Sequence, residues 1–337
     1  MGHFMSGPSP VQRWPHHAVI LVTAASGHIG EHLIPLLASD PTLKLVLPTS
    51  RASNLQVQLA QHQQCQPGSN IFIEEGSIKD PRWFQRLLTS HQVDTLFLNL
   101  TGDDELFTTL NCLDSAARSG TVKQLIYISG SVDTDSSETI QRRIVATCSA
   151  AHVLAKPLIE QKLAHGGFPF DWTVLQPTLF FTNDLRSKQS MLETGVFDVP
   201  FGEAGLSRVA PWNIALAVKN LVAAYSGDSK NQWNQKKVAV GSRKWFKGSE
   251  MARFWSEALG RKITVLPANE EGYQKFEDGF GALAGPAWGR DLRLMHETFA
   301  AHGFGMTEEQ YQQQVELLGR EPDDYTEWVK ATGSQWV

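Results

Sequence analysis

Between residues 18 and 176, short unbroken apolar runs alternate with longer amphipathic stretches, and this alternation limits the possible folds more than any other feature. Ala18–Thr23 is such a run, with the length and continuity of a strand buried on both faces. Others follow at Leu43–Leu47, Ile71–Ile73, Thr95–Leu98, Gln124–Ile128 and Trp172–Leu175. The spacing between them predicts helices over Gly30–Ala38, Asn54–Gln64, Pro81–Ser90, Leu106–Ser119 and Cys148–Ala164. Asp80 before Pro81 is a helix start, a capping carboxylate followed by proline at the first helical position. Six strands alternating with helices require right-handed crossovers, which build an α/β doubly wound parallel sheet.

The stretch Thr23-Ala24-Ala25-Ser26-Gly27-His28-Ile29-Gly30 leaves the first strand and opens the first helix. A pyrophosphate at such a turn meets free backbone N–H groups and the positive end of the helix dipole. Gly27 permits close approach and Gly30 lets helix and strand pack. Thr23, Ala25, Ser26, Gly27, His28, Ile29 and Gly30 are therefore candidate dinucleotide-binding residues of a Rossmann-type fold. Ala24 stands where the usual first glycine would be, and as an alanine it is expected to keep φ negative. The second strand ends in Pro48-Thr49-Ser50-Arg51, with no acid for a ribose 2′-hydroxyl. Arg51 suits a 2′-phosphate, with Thr49 or Ser50 assisting, which favours NADP(H) over NAD(H).

After Pro177 the rhythm loosens into a smaller α+β lobe. Helices are expected at Asn213–Tyr225, Ser249–Leu259, Asp291–Ala301 and Thr307–Leu318, with short strands at Lys237–Val240 and Ile263–Leu266. The chain divides into a flexible tail (1–16), a nucleotide-binding domain (17–176) and a substrate-binding lobe (177–337). Tryptophans gather in that lobe, among them Trp212, Trp233, Trp245, Trp255, Trp288 and Trp328, and leave room for a flat apolar ligand.

Hydrophobic content of 42% and charged content of 19% describe a globular chain, and a net charge of −5 gives no general attraction to nucleic acid or anionic membrane. Cys65, Cys112 and Cys148 fit neither a disulfide framework nor a metal site and suit a reducing, cytoplasmic setting. Met1-Gly2-His3-Phe4-Met5-Ser6 matches the N-myristoylation pattern, but that pattern is short and permissive, and the segment reads better as an added leader before a start at Met5.

With the loop and Arg51, several further motifs resemble the NmrA-like branch of the atypical short-chain dehydrogenase/reductases. They are Gly76-Ser77-Ile78-Lys79-Asp80, Val122–Ser129, Lys156 with Ile159-Glu160, Trp172–Pro177 with Asn183, and Glu321-Pro322 with Glu327-Trp328-Val329. The resemblance covers nearly the whole chain. It implies that Ser77 and Ile78 lie near an adenine, that Leu100, Thr101 and Gly102 flank the adenosine side, and that Lys156 binds the nicotinamide ribose.

Reductases of the wider superfamily carry a tyrosine four residues before the lysine, where the ammonium prepares the phenol to donate a proton. Here that position is His152, which in its neutral form still donates or accepts one hydrogen bond. Pro157 disfavours helical geometry at Lys156 and predicts a helix restart that would part the two faces. Glu160 is expected to pair with Lys156 or balance local charge. Ser129 and Ser131, beyond the fifth strand, stand where a hydroxyl can steady a carbonyl oxygen, with 132–143 as a rim above.

These residues lead to an NADP(H)-dependent oxidoreductase acting on an apolar carbonyl, imine or activated alkene, with Lys156, His152 and Ser129 as its catalytic candidates, in a setting such as secondary metabolism. Two alternatives stay open. One is a non-catalytic NADP(H) redox sensor that regulates a protein partner; the other is a cofactor-assisted cyclase.

Overall fold

The computed structural model describes residues 18–65, 70–131, 148–225 and 231–336. Its centre is an all-parallel sheet of seven strands: β1 (Val19–Val22), β2 (Lys44–Thr49), β3 (Ile71–Glu75), β4 (Thr95–Leu98), β5 (Gln124–Ile128), β6 (Asp171–Pro177) and β7 (Lys236–Val240). The spatial order is β7-β6-β5-β4-β1-β2-β3. Strand order therefore reverses beside β1, between β4 and β2, and this leaves a crevice at the carboxyl ends of β1 and β4.

The sixfold alternation becomes a seven-stranded sheet because Lys236–Val240 returns from the second half of the chain to pair with β6, Lys236 opposite Thr173. Strand and helix periodicity is local, so it does not reveal which sheet a late strand joins.

The helices of the first half are α1 (Gly30–Ala38), α2 (Ala52–Leu59), α3 (Pro81–Ser90), α4 (Glu105–Ser119) and α5 (Ala151–His165). The Asp80 carboxylate caps α3, accepting from Arg82 N and Trp83 N, as its sequence position requires. After β6 come α6 (Lys188–Thr194), α7 (Pro211–Ala224), α8 (Gly248–Leu259), α9 (Glu270–Ala284), α10 (Pro286–His302), α11 (Glu308–Leu318) and α12 (Tyr325–Gly333). Residues of α1, α7 and α11 pack one face of the sheet, and residues of α3, α4 and α5 pack the other. A third apolar cluster, centred on Phe181, Phe197, Trp255, Met295 and Tyr325, forms the lobe above the strand ends.

Helix α9 was not visible as a helix because Gly272, Gly279 and Gly281 interrupt its pattern. The structure explains part of this: a Cβ on Gly289 of α10 would lie 2.4 Å from Glu277 O and 2.9 Å from Gly281 N. The two helices cross too closely for side chains at that point. The lobe is further tied by Arg208 and Asp184, both fully buried as an ion pair, with Tyr325 Oη and Trp255 Nε1 also donating to Asp184.

The myristoylation pattern and the rim at 132–143 lie outside the described residues. Among the described residues no helix is long and apolar enough to cross a membrane, and no cluster of His, Cys, Asp and Glu could hold a metal.

Candidate active site

The turn after β1 is shaped by backbone. Gly27 N donates to Ala24 O at 2.9 Å, and a Cβ on Gly30 would sit 2.3 Å from Ala25 O and 2.5 Å from Ala24 O. No other residue fits position 30 without moving the turn. Ala24 adopts φ 51°, which corrects the expectation that it would stay at negative φ. The loop thus keeps the left-handed conformation ordinarily given to glycine and absorbs the steric cost. Ile29 caps α1 with no side-chain hydrogen bond. Glu31 N donates to Gly27 O and His32 N to Ile29 O, while the N–H groups of His28, Ile29 and Gly30 make no hydrogen bond among the described residues and are left for whatever fills the crevice.

The predicted loop residues divide by role. Thr23 is fully buried, and its hydroxyl donates to Phe97 O and Asn99 O and accepts from Asn99 N at 2.8 Å, clamping β1 to the end of β4. Ala25 is buried in the core. Gly27, His28 and Ile29 face the cavity described below, together with Ala24, and Ser26 is exposed beside α2, where Gln58 Nε2 donates to Ser26 O. Arg51 is exposed just before α2, and no carboxylate pairs with it among the described residues; its N–H donates to Thr49 Oγ1 at 3.2 Å. Glu75, at the end of β3, caps that helix by accepting from Ala52 N at 2.9 Å. Ser77 accepts from Lys79 N, and Ile78 packs toward α4. Thr101 lines the cavity, whereas Leu100 offers its carbonyl to Lys156 at 3.3 Å.

A cavity of about 650 Å³ runs from this loop across the ends of β4, β5 and β6 to α9 and α10. At its middle, α5 continues unbroken through Pro157, and His152 and Lys156 both line the cavity. The expected restart does not occur. Pro157 is buried inside the helix, and packing of the element outweighs the one hydrogen bond its ring removes.

Lys156 Nζ forms an ion pair with Glu105, which is 1% exposed, and also reaches Ile128 O. Tyr127 Oη donates to the same Glu105 oxygen at 3.2 Å, and burial first, then the Glu105 charge, pushes the phenol far above its ordinary range. Glu105 Oε2 is buried with no hydrogen-bond partner among the described residues. Glu160 does not pair with Lys156, which corrects that expectation. It is buried and bonded to Ser129 Oγ, Gln176 Nε2 and Lys237 Nζ. The Ser129 hydroxyl is therefore committed to Glu160, and that of Ser131 to Gln176 O at 2.6 Å.

His152 Nδ1 bonds Asp291 of α10, whose other oxygen accepts from Ala151 N. Burial opposes ionisation of Asp291, but the His152 ring and the backbone N–H groups of Ala151 and His152 outweigh it and hold the carboxyl below its ordinary value. Trp288 lies against the imidazole, ring centroids 5.7 Å apart. A carboxylate on one ring nitrogen orients the other and stabilises the imidazolium. Asp291 lies 139 residues from His152, and no local spacing could have linked them.

Of the tryptophans named above only Trp288 lines the cavity. Trp212, Trp233, Trp255 and Trp328 pack in or against apolar cores, as Trp255 does beneath Trp328, and Trp245 is half-buried against Gly205, Gly303 and Gly305. Besides Trp288, the cavity's aromatic wall is phenylalanine: Phe180, Phe280, Phe299 and Phe304. No tyrosine lines it among the described residues.

No family model matches the chain. An NAD(P)H azoreductase of Xenophilus azovorans is 25% identical over 266 residues, 78% of this chain and 82% of that protein. The NADPH-dependent quinone oxidoreductase of Escherichia coli, solved with NADPH, superposes with a TM-score of 0.72 at 17% identity, covering 93% of this chain and 99% of that one. NmrA, a negative transcriptional regulator solved with NADP, superposes with a TM-score of 0.67 at 15% identity, covering 95% and 99%. The resemblance read from the motifs holds at the level of architecture: this chain has the fold of the NmrA-like atypical short-chain dehydrogenase/reductases.

Proposed function

We propose that this protein is an NADP(H)-dependent reductase of a flat, largely apolar substrate. The observation that carries the reading is the single cavity that joins the glycine loop to an aromatic chamber past Lys156 and His152. The activities for which the azoreductase and the quinone oxidoreductase are named support it by analogy.

The residues present fit a dinucleotide phosphate. The N–H groups of His28, Ile29 and Gly30 would hold the pyrophosphate, and Arg51, which no carboxylate pairs among the described residues, the 2′-phosphate. Residues 17–176 thus serve the nucleotide and 177–337 the substrate, with β7 crossing back between them. When bound, the cofactor supplies a hydride. Lys156, anchored by Glu105 and the carbonyls of Leu100 and Ile128, presents a fixed ammonium for hydrogen bonding at the reacting end. His152, oriented by Asp291, is the group in the cavity able to deliver a proton once negative charge develops on the substrate. Asp291 positions the imidazole and does not itself react. Phe280, Phe299 and Trp288 exclude water from the reacting bond. The substrate class is an aromatic or conjugated acceptor of natural-product size. The cyclisation alternative finds no support in the azoreductase or the quinone oxidoreductase, which are named for reductions.

NADPH consumption with 1,4-naphthoquinone and with azobenzene as acceptors tests the reading. Oxidation above the acceptor-free rate, reduced at least tenfold in His152→Phe, is expected. Tight NADPH binding with no turnover of either acceptor would favour the redox-sensing reading instead.

A further inference from the structure

The far end of the cavity carries a charge that the proposed reaction does not use. Arg186 belongs to a 3₁₀ stretch, Phe181–Ser187, and lines both the large cavity and a smaller one of about 160 Å³ beside it. Its guanidinium stands 5.4 Å over the Phe280 ring, and no carboxylate pairs with it among the described residues. The acids that line the smaller cavity are engaged elsewhere: Asp184 with Arg208, and Asp198 with the Ser187 hydroxyl. The other cation there, Lys275, is paired with Glu271 at 2.8 Å. Arg186 is thus a cation without a counter-charge at the seam of two cavities.

Two neighbours sharpen this. Asn183 stands three residues earlier, and in a 3₁₀ stretch residues at that spacing share a side. It lines both cavities, and its amide makes no hydrogen bond among the described residues. His296, fully buried against the smaller cavity, is lowered to about 3 by burial first, then by the positive charges of Arg208, His152 and Arg186. Phe280, Leu292 and Met295 between the two cavities are apolar. A planar fork with five N–H donors beside a free amide matches a planar oxyanion, and apolar walls match the rings that would carry it.

We propose that Arg186 and Asn183 form a carboxylate subsite that orients an aromatic acid in the cavity, with its rings against Phe280, Leu292 and Met295. The inference rests on the reductase reading for the place of the site, though not for its chemistry. The residues that do the orienting lie on a different element from His152 and Lys156, so substrate selection and proton delivery are separable.

The test compares azobenzene-4-carboxylate with the uncharged azobenzene-4-carboxamide, by equilibrium dialysis with saturating NADP⁺, for the wild type, Arg186→Met and Arg186→Lys. The wild type is expected to bind the acid about tenfold more tightly than the amide, with the ratio shrinking at high salt. Arg186→Met brings the ratio close to one, mainly by weakening the acid, while amide binding falls by no more than about threefold, which also shows that the cavity is intact; Arg186→Lys restores part of the preference. Equal binding of the two probes by the wild type, a ratio unchanged in Arg186→Met, or binding of neither probe overturns the assignment. An NADPH titration on the same samples separates the two readings. Failure to bind NADPH defeats the reductase reading, and the acid-to-amide ratio in cofactor-free protein still decides this one.

Discussion

The two ends of the cavity are built by different means. The loop end comes from consecutive residues, Thr23 to Gly30, and its geometry is held by backbone: a turn, a left-handed alanine and a glycine with no room for a Cβ. The substrate end is assembled from side chains on α5, α9, α10 and the 3₁₀ stretch at Phe181–Ser187; His152 there finds its partner Asp291 far along the chain, and Arg186 and Asn183 find no hydrogen-bonding partner among the described residues. The first end tolerates almost no change at a few positions, whereas the second tolerates change in shape but depends on paired charges. That contrast can be broken or sharpened by experiment.

The largest effect is expected from Gly30→Val, where the new Cβ would meet two carbonyl oxygens within 2.5 Å. A loss of more than about 4 kcal/mol, seen as aggregation or a collapsed urea midpoint, is expected; near-normal stability would mean that the loop is adaptable. Lys156→Met comes next. It leaves Glu105 buried without its counter-ion, and should cost about 3 kcal/mol in urea unfolding, most of it recovered by adding Glu105→Gln.

Asp291→Asn should leave stability and NADPH affinity nearly unchanged and lower the reduction rate about tenfold or more. Equal loss of NADPH affinity would move Asp291 out of the positioning role. A further effect, on stability alone, concerns His296. Its imidazole titrates near 6.5 in the unfolded chain and near 3 when folded, because burial disfavours the charged form. Between those values the unfolded state binds a proton that the folded state does not, so stability falls as pH drops from about 6.5 toward 3. The slope from this group is at most about 1.4 kcal/mol per pH unit. Urea midpoints at pH 7 and pH 4.5 should differ less in His296→Phe than in the wild type.

The same division governs what the sequence reveals. Strands of the first half, α1 and α3 are legible because continuous apolar runs and an Asp-Pro cap act locally, and both helices begin and end at the residues their patterns indicate. The loop, Arg51 and the pair His152/Lys156 are legible for the same reason: each is defined by short spacing. Glu105, Asp291 and Arg186 carry no such signature. Glu105 reads as an ordinary first-turn acid of α4, and only the approach of α4 to α5 gives it Lys156. The tryptophans mislead in the opposite sense, since size alone does not say whether a ring faces a core or a cavity. Ala24 shows a further limit. Its φ of 51° is imposed by the turn around it, against its own preference.

The central claim is that the loop end holds NADP(H) through Arg51. Calorimetric titration of wild type and Arg51→Ala with NADPH and with NADH tests it most directly. NADPH binding is expected to weaken about tenfold or more in the variant, with NADH affinity unchanged. Equal losses for the two nucleotides, or no binding of NADPH by the wild type, would contradict it.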